Sequence, residues 1–442
     1  MKRYLYVEGV LFTLIVTWIA NDFWMFYQHP TLLWLCLPLV AVIVGGAGFF
    51  KRGIYNRRLR VCYHGACLLA MFAASLFLSV IWQVLMALFF LEGDGWLILW
   101  SILFCVAIEA YVFWNGILCV YLTSAQLGIR RRVLGILVGM IPPLNLIMLG
   151  KIIAVAFAEV RVETAKARCN DARREARVCA TKYPILLVHG LFFRDSRLFN
   201  YWGRIPAELK KNGARIFYGE HDSARTVAES AAELADRIEW ILKKTGAEKL
   251  NIIAHSKGGL DMRYAIAHLG MGPYVASLTT VNTPHNGCIF ANKLLKKVPD
   301  RLAHRIANAY DVIAERAGDE RPDFLAAVRD LTDEACAKRN ETMPQPQDVF
   351  CQSFGSRLNR ASGGRFPLNI SYHVVRHYDG HNDGLVSDTS FAFGERFQLL
   401  TVKGRRGISH ADMVDMNREN LPEFDVREFY VQLVSDLRER GL

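Results

Sequence analysis

The sequence contains no C-x-x-C pair, which excludes a thioredoxin-like redox pair and a cysteine metal knuckle. It has no zinc spacing and no stripe interleaving basic with aromatic residues, so its net charge of +11 does not point to nucleic acid. Charges are scarce up to about residue 158 and ordinary beyond it; the 52% hydrophobic content averages two unlike halves. The basic excess flanks the apolar runs, at Lys2 and Arg3, Lys51 to Arg60, Arg130 to Arg132 and Arg161 to Arg177. Charges so placed orient spans against anionic lipid head groups. Ten cysteines divide evenly between the halves. Cys336 and Cys351 are a candidate bridge if the second half is extracytoplasmic, and otherwise small buried hydrophobes.

Residues 1–158 read as a transmembrane helical region. Five stretches reach the roughly 20 apolar residues that a spanning helix needs: Tyr4–Phe26, Thr31–Phe50, Gly65–Leu91, Trp96–Leu122 and Val133–Ala158. Trp24, Tyr27, Trp96 and Trp100 lie near their ends, where an interfacial aromatic belt belongs. Glu109, inside the fourth run, reads as a bundle-facing carboxylate. The basic loops belong on the cytoplasmic side, and the acidic loops at Asn21–Asp22 and Glu92–Asp94 outside. The fifth run carries Pro142-Pro143 and Lys151 and leads into more basic sequence. A full crossing, which its length favours, puts the second half outside; a re-entrant path keeps that half cytoplasmic. Four or five spans follow, depending on that segment.

After a basic linker over 159–182, residues 183–442 alternate short apolar runs with amphipathic segments, the pattern of a mostly parallel sheet with helices on both faces. Expected strands are Pro184–Val188, Arg215–Tyr218, Leu250–Ala254, Val275–Val281, Ser371–Val375 and Phe397–Val402. Expected helices include Tyr201–Asn212, Val227–Thr245, Gly259–Leu269 and Glu423–Glu439. Between residues 289 and 360 the pattern lapses into polar helices and a proline-containing loop, which reads as a cap or a surface excursion.

The chemistry centres on Leu250-Asn-Ile-Ile-Ala-His-Ser256-Lys-Gly-Gly-Leu260. A strand, a sharp turn with a serine at its apex and a helix lift a hydroxyl above the sheet, next to a positive helix end. Small residues two before and two after the serine, Ala254 and Gly258, let the backbones close up. A nucleophilic serine needs a base, and the base needs an orienting carboxylate; on such a fold they follow in the order Ser, Asp or Glu, His. His410 is the expected base and Asp383 its partner. Asp379 and Asp388 compete for the carboxylate role, and His255, His373, His377 and His381 for that of the base. The backbone amides of Leu191 and Lys257 are the expected oxyanion donors, and the Lys257 ammonium reads as solvated.

With these residues in place, the chain resembles the bacterial triacylglycerol lipases of the true-lipase family. The motifs are Tyr183-Pro-Ile-Leu-Leu-Val-His-Gly-Leu191, Tyr201-Trp-Gly-Arg-Ile-Pro206, Asn212-Gly-Ala-Arg-Ile-Phe-Tyr218, Ala254-His-Ser-Lys-Gly-Gly259 and Thr283-Pro-His-Asn-Gly287. The resemblance runs from Tyr183 to about Leu294 and returns at Asn382–Val386 and His410–Met413. It implies an α/β-hydrolase fold, Ser256 as nucleophile, Asp383 and His410 as its partners and Leu191 as an oxyanion amide. It also implies a structural calcium in some members, with Asp412 as one ligand. The chain departs from the family at Ala254 and in its apolar first half.

The expected function is a membrane-anchored serine ester hydrolase acting on acyl lipids, without a redox cofactor or nucleic-acid partner. An acyltransferase or lipid deacylase would use the same three residues. A different class, a silent hydrolase-fold module on a membrane protein, would leave them idle.

Overall fold

The computed structural model describes residues 2–48, 53–89, 95–191 and 200–442. The acidic loop Glu92–Asp94 and the start of the basic loop, Lys51 and Arg52, lie outside them. The chain divides into two compact units, Met1–Asp171 and Ala172–Leu442.

The first unit is helical: α1 (Lys2–Asn21), α2 (Phe23–Gln28), α3 (Leu33–Gly46), α4 (Arg57–Phe89), α5 (Gly95–Thr123), α6 (Gly128–Leu137) and α7 (Leu144–Arg173). Helices α4 and α5 are long and apolar enough to cross a membrane, and only 28% and 22% of their most apolar windows are buried. They pair antiparallel. Gly65 fits against Cys119 and Val120, and a side chain there would displace them. Further along, Ser75 donates to Glu109 at 2.5 Å, and Gln83 donates to Ser101 at 3.1 Å. Helix α1 runs parallel to α4: Thr17 bonds Ser75 and Asn21 bonds Ser79. Glu109 is therefore buried among helices, as its position in the apolar run suggested.

The fifth apolar run is not one helix. It is broken between α6 and α7 at Val138–Pro143, where Pro142 and Pro143 offer no backbone N–H to continue the ladder. Gly135 of α6 lies against Ile152 of α7, so the two form a hairpin. The expected continuous span over Val133–Ala158 is replaced by this turn.

The second unit is built on six parallel strands: β1 (Ile185–Val188), β2 (Ile216–Tyr218), β3 (Leu250–His255), β4 (Val275–Val281), β5 (Phe350–Ser356) and β6 (Arg396–Leu400). Their order is β2-β1-β3-β4-β5-β6. Helices between and after them are α8 (Ile205–Lys211), α9 (Val227–Thr245), α10 (Lys257–His268), α11 (Ile289–Lys297), α12 (Asp300–Ala317), α13 (Phe324–Asp330), α14 (Asp333–Asn340), α15 (Leu368–Asp379) and α16 (Val426–Glu439).

Side chains alternate across a strand, and this sheet uses both faces. Leu186, Val188, Ile252, Ala254 and Leu278 pack with Leu234, Ile238 and Ile241 of α9 and Met262 of α10. Ile185, Leu187, Ile253 and Val281 pack with Leu209 of α8 and Tyr430, Val434 and Leu437 of α16. Helix α9 starts at a capping box, Thr226 with Glu229, and stops at Gly246, whose φ of 66° suits glycine.

Two expectations fail here. Ser371–Val375 is not a strand but the middle of α15, which buries Tyr372 and Val375, three apart, on one face. The fifth strand is instead Phe350–Ser356, inside the stretch expected to be a cap; the helical insertion proper is α11 to α14. Cys336 and Cys351 are free thiols in α14 and β5.

Candidate active site

Because all six strands are parallel, their carboxyl ends share one edge, where loops can gather. The turn from β3 to α10 puts Ser256 at φ 55°, ψ −132°, outside the regions a side chain prefers. This strain persists because neighbours hold both flanks. The Ser256 amide bonds the Val281 carbonyl at 2.9 Å, and the Gly259 amide bonds that of Ser256 at 3.1 Å. Two glycines permit the tightness. A Cβ on Gly258 would run into the His189 carbonyl, and one on Gly190 would stand 2.6 Å from the Ser256 Cβ. Ala254, where the family pattern has glycine, faces the α9–α10 core with no bulk beyond a methyl.

The close approach of Gly190 brings the turn after β1 against the serine. Leu191 and Ser256 line one cavity of about 270 Å³. Lys257 opens α10, so its amide has no acceptor within the helix. Its side chain corrects the sequence expectation: the ammonium is buried, not solvated. It donates to Ser230 Oγ at 2.8 Å and to Asp261 at 2.8 and 3.0 Å. Burial pushes the Asp261 carboxyl up to about 7, against the opposing pull of Lys257.

His410 and Asp383 are joined. His410 Nδ1 lies 2.6 Å from Asp383 Oδ2. A carboxylate only accepts, so Nδ1 carries a proton, and in the neutral ring this leaves the lone pair on Nε2. Asp383 is saturated. Asn282 Nδ2 donates to the same oxygen at 2.6 Å, and the Leu385 and Val386 amides donate to Oδ1, each at 2.8 Å. The His410 amide in turn bonds the Asp383 carbonyl at 2.9 Å.

The competing residues are engaged elsewhere. Asp379 accepts the amides of Ile289 and Phe290 and so caps α11. Asp388 faces Arg357 at 3.6 Å. His373, His377 and His381 are exposed. His255 is buried; its ring centroid is 4.5 Å from that of His410, and its Nδ1 is 2.7 Å from the Tyr201 hydroxyl. Burial, with His410 beside it, holds its pKa well below the usual histidine range. No hydrogen bond joins Ser256 to His410 among the described residues; the His410 ring packs against that of His255, the residue before Ser256.

Sequence reasoning missed Asn282 and Tyr201. Asn282 follows the central strand β4 at φ 49°, and that position at the carboxyl end of a strand was its only signal. Tyr201 accepts the Gly190 amide at 3.2 Å, tying the turn after β1 to the residue before Ser256.

The cavity wall is apolar and comes mostly from the insertion, with Ala291, Leu294 and Val328 facing Leu191, Ser256 and Val386. Among the described residues that line it, none carries a charge to complement an ionic ligand. An extended hydrocarbon fits.

A calcium at Asp412 does not fit these residues. Arg406 takes both oxygens, at 2.6 and 3.0 Å, and Ser409 donates to one of them through its amide and its hydroxyl. Arg406 also reaches Glu419 at 3.3 Å. Among the described residues, no three histidine, cysteine or acidic side chains converge as metal ligands. EDTA is therefore expected to leave the thermal midpoint unchanged. Arg406→Met, which strips the buried Asp412 of its counter-charge, should lower that midpoint by several degrees, for a loss of about 3 kcal/mol. Differential scanning fluorimetry checks both.

Residues 183–311 match the family model of the α/β hydrolase fold, and the second unit has that fold. The chain is 34% identical over 181 residues to a triacylglycerol lipase of Pseudarthrobacter phenanthrenivorans, covering 37% of this chain and 55% of that protein. A triacylglycerol lipase of Burkholderia plantarii is also 34% identical over 181 residues, covering 37% and 49%. One from Pseudomonas fragi is 28% identical over 295 residues, covering 59% and 98%. The match thus spans about half the length of the first two relatives and nearly all of the third.

Proposed function

We propose that the chain is a serine ester hydrolase of acyl lipids, held at a membrane by its first unit. The observation that carries this reading is the opening of Ser256, on a strained strand-to-helix turn, into an apolar cavity, with the Asp383-paired His410 ring packed 4.5 Å from that of the preceding residue, His255. The similarity to triacylglycerol lipases supports an ester as substrate. The exposed apolar sides of α4 and α5 support the membrane.

In the proposed cycle, His410 Nε2 removes the Ser256 proton as Oγ attacks the ester carbonyl carbon. The imidazolium is stabilised by Asp383. The Leu191 and Lys257 amides bond the carbonyl oxygen as it gains charge. His410 returns the proton to the departing alcohol, leaving an acyl-serine. Water, deprotonated by His410, then releases the carboxylic acid and restores Ser256. The acyl chain lies in the cavity, so a long chain gains from burial at roughly 0.8 kcal/mol per methylene.

The test is covalent capture. A long-chain fluorophosphonate is expected to add one phosphonyl group, mapped by peptide mass to Ser256; labelling elsewhere, or none in folded protein, would sink the reading. The cavity makes a second prediction. Ala291→Phe fills it from α11, so turnover of a palmitoyl ester should fall about tenfold or more while that of a butyryl ester is kept. A paired chain-length assay reads the difference.

A further inference from the structure

The α6–α7 hairpin carries an apolar surface that the first unit does not cover. Met140 at its tip is 91% exposed, and Ile136, Leu137 and Leu146 beside it are exposed as well. Most of the backbone amides there, though not those of Met140 and Leu144, are met within the hairpin. The amides of Val138, Gly139, Ile141, Asn145 and Leu146 all find internal carbonyls, and Pro142 and Pro143 have no N–H to satisfy. The Asn145 side chain donates to the Gly139 carbonyl at 3.3 Å across the turn.

The dimensions suit half a bilayer. The ten residues of α6 rise about 15 Å, against a hydrocarbon core of about 30 Å. Arg130 and Arg131 stand exposed at the mouth of the hairpin, at head-group depth, and Lys151 is long enough to reach that level from α7.

Contacts within the unit fix where the hairpin returns. Glu159 of α7 accepts Arg58 at 2.6 Å, from the start of α4. It also accepts the Ser124 hydroxyl at 2.7 Å and the Ala125 and Gln126 amides at 3.1 and 3.0 Å, from the turn between α5 and α6. Arg168 reaches the Gly53 carbonyl at 2.7 Å. The start of α4, the end of α5, the start of α6 and the far part of α7 therefore lie at one end of the bundle.

We infer that the α6–α7 hairpin is seated in one leaflet, and that the hydrolase unit follows it on the cytoplasmic side. The occupant of the apolar surface is lipid acyl chain. Every basic segment of the first unit then shares one side, as the positive-inside tendency requires. The full crossing expected from the length of the fifth run, with the hydrolase outside, is replaced. The substrate would be drawn from the inner leaflet. This inference rests on the membrane reading proposed above.

The molecule supplies its own probe. Cys169, on α7 beyond Glu159, is the exposed one of its ten cysteines. In membranes of the full chain that resist carbonate extraction, an impermeant maleimide should label Cys169 in inverted vesicles and not in intact cells, with Cys169→Ser as the blank. Labelling in intact cells would overturn the sidedness. Extraction by carbonate would instead overturn the membrane reading itself. In the Cys169→Ser background, a fluorophore on Met140→Cys should be quenched by lipids brominated on their acyl chains. Cross-linking of Met140→Cys to a second copy, without quenching, would replace lipid by protein as the occupant.

Discussion

Ser256→Ala is expected to lower kcat for long-chain esters about a million-fold, to the assay background, while the protein stays folded. The size follows from the loss of the group proposed to form the acyl intermediate. The retention of fold follows from the structure. The Ser256 hydroxyl makes no hydrogen bond among the described residues, and alanine keeps the same backbone path. Its thermal midpoint should therefore shift by the equivalent of less than about 1 kcal/mol. Substrate binding should survive too, because the cavity wall is untouched. A mutant that binds a palmitoyl analogue with unchanged affinity yet shows no turnover separates chemistry from binding. Wild-type rates in this mutant would remove Ser256 from the mechanism.

Asp383→Asn should cost about 10,000-fold in kcat, and for a more specific reason than lost charge. The carboxylate accepts four donors, two on each oxygen. An amide has one acceptor end and one donor end. If its oxygen serves the Leu385 and Val386 amides, its NH2 meets His410 and Asn282. Turned round, the NH2 meets the two backbone N–H groups. Neither orientation satisfies the site, so a stability loss of about 1–3 kcal/mol should accompany the rate loss. His410 can relieve the clash only by moving its proton from Nδ1 to Nε2, which removes the lone pair that would accept the serine proton. The check is kcat alongside thermal unfolding. A mutant with normal kcat would assign His410 a different orienting group.

The residues of the proposed site could be picked out because each sits in a local pattern that one sequence can carry. Ser256 stands between a buried apolar run and a helix, flanked by small residues, and Asp383 and His410 lie in polar loops downstream. What escaped were residues whose role comes only from tertiary neighbours. Tyr201 and Asn282 look like ordinary polar side chains until the fold brings β1, β3 and β4 together. Strand β5 escaped because Gln352 and Ser353 do not resemble a buried strand. Both are buried, with Gln352 bonded to Thr279 and Ser353 to the Phe393 carbonyl. The segment around Ser371–Val375 misled in the opposite way. Its tyrosine and valines favour strand, yet burial at three-residue spacing makes it a helix.

The insertion from α11 to α14 supplies most of the cavity wall but none of the groups proposed to move a proton or hold the oxyanion. Under the proposed function, reactivity and selectivity are thus written on separate stretches of chain. Substitutions at Leu294 or Val328 can retune which acyl group is accepted without disturbing Asp383 or His410. Exchange of the whole helical segment becomes a practical engineering step: one hydrolytic apparatus can be fitted with a series of interchangeable acyl pockets.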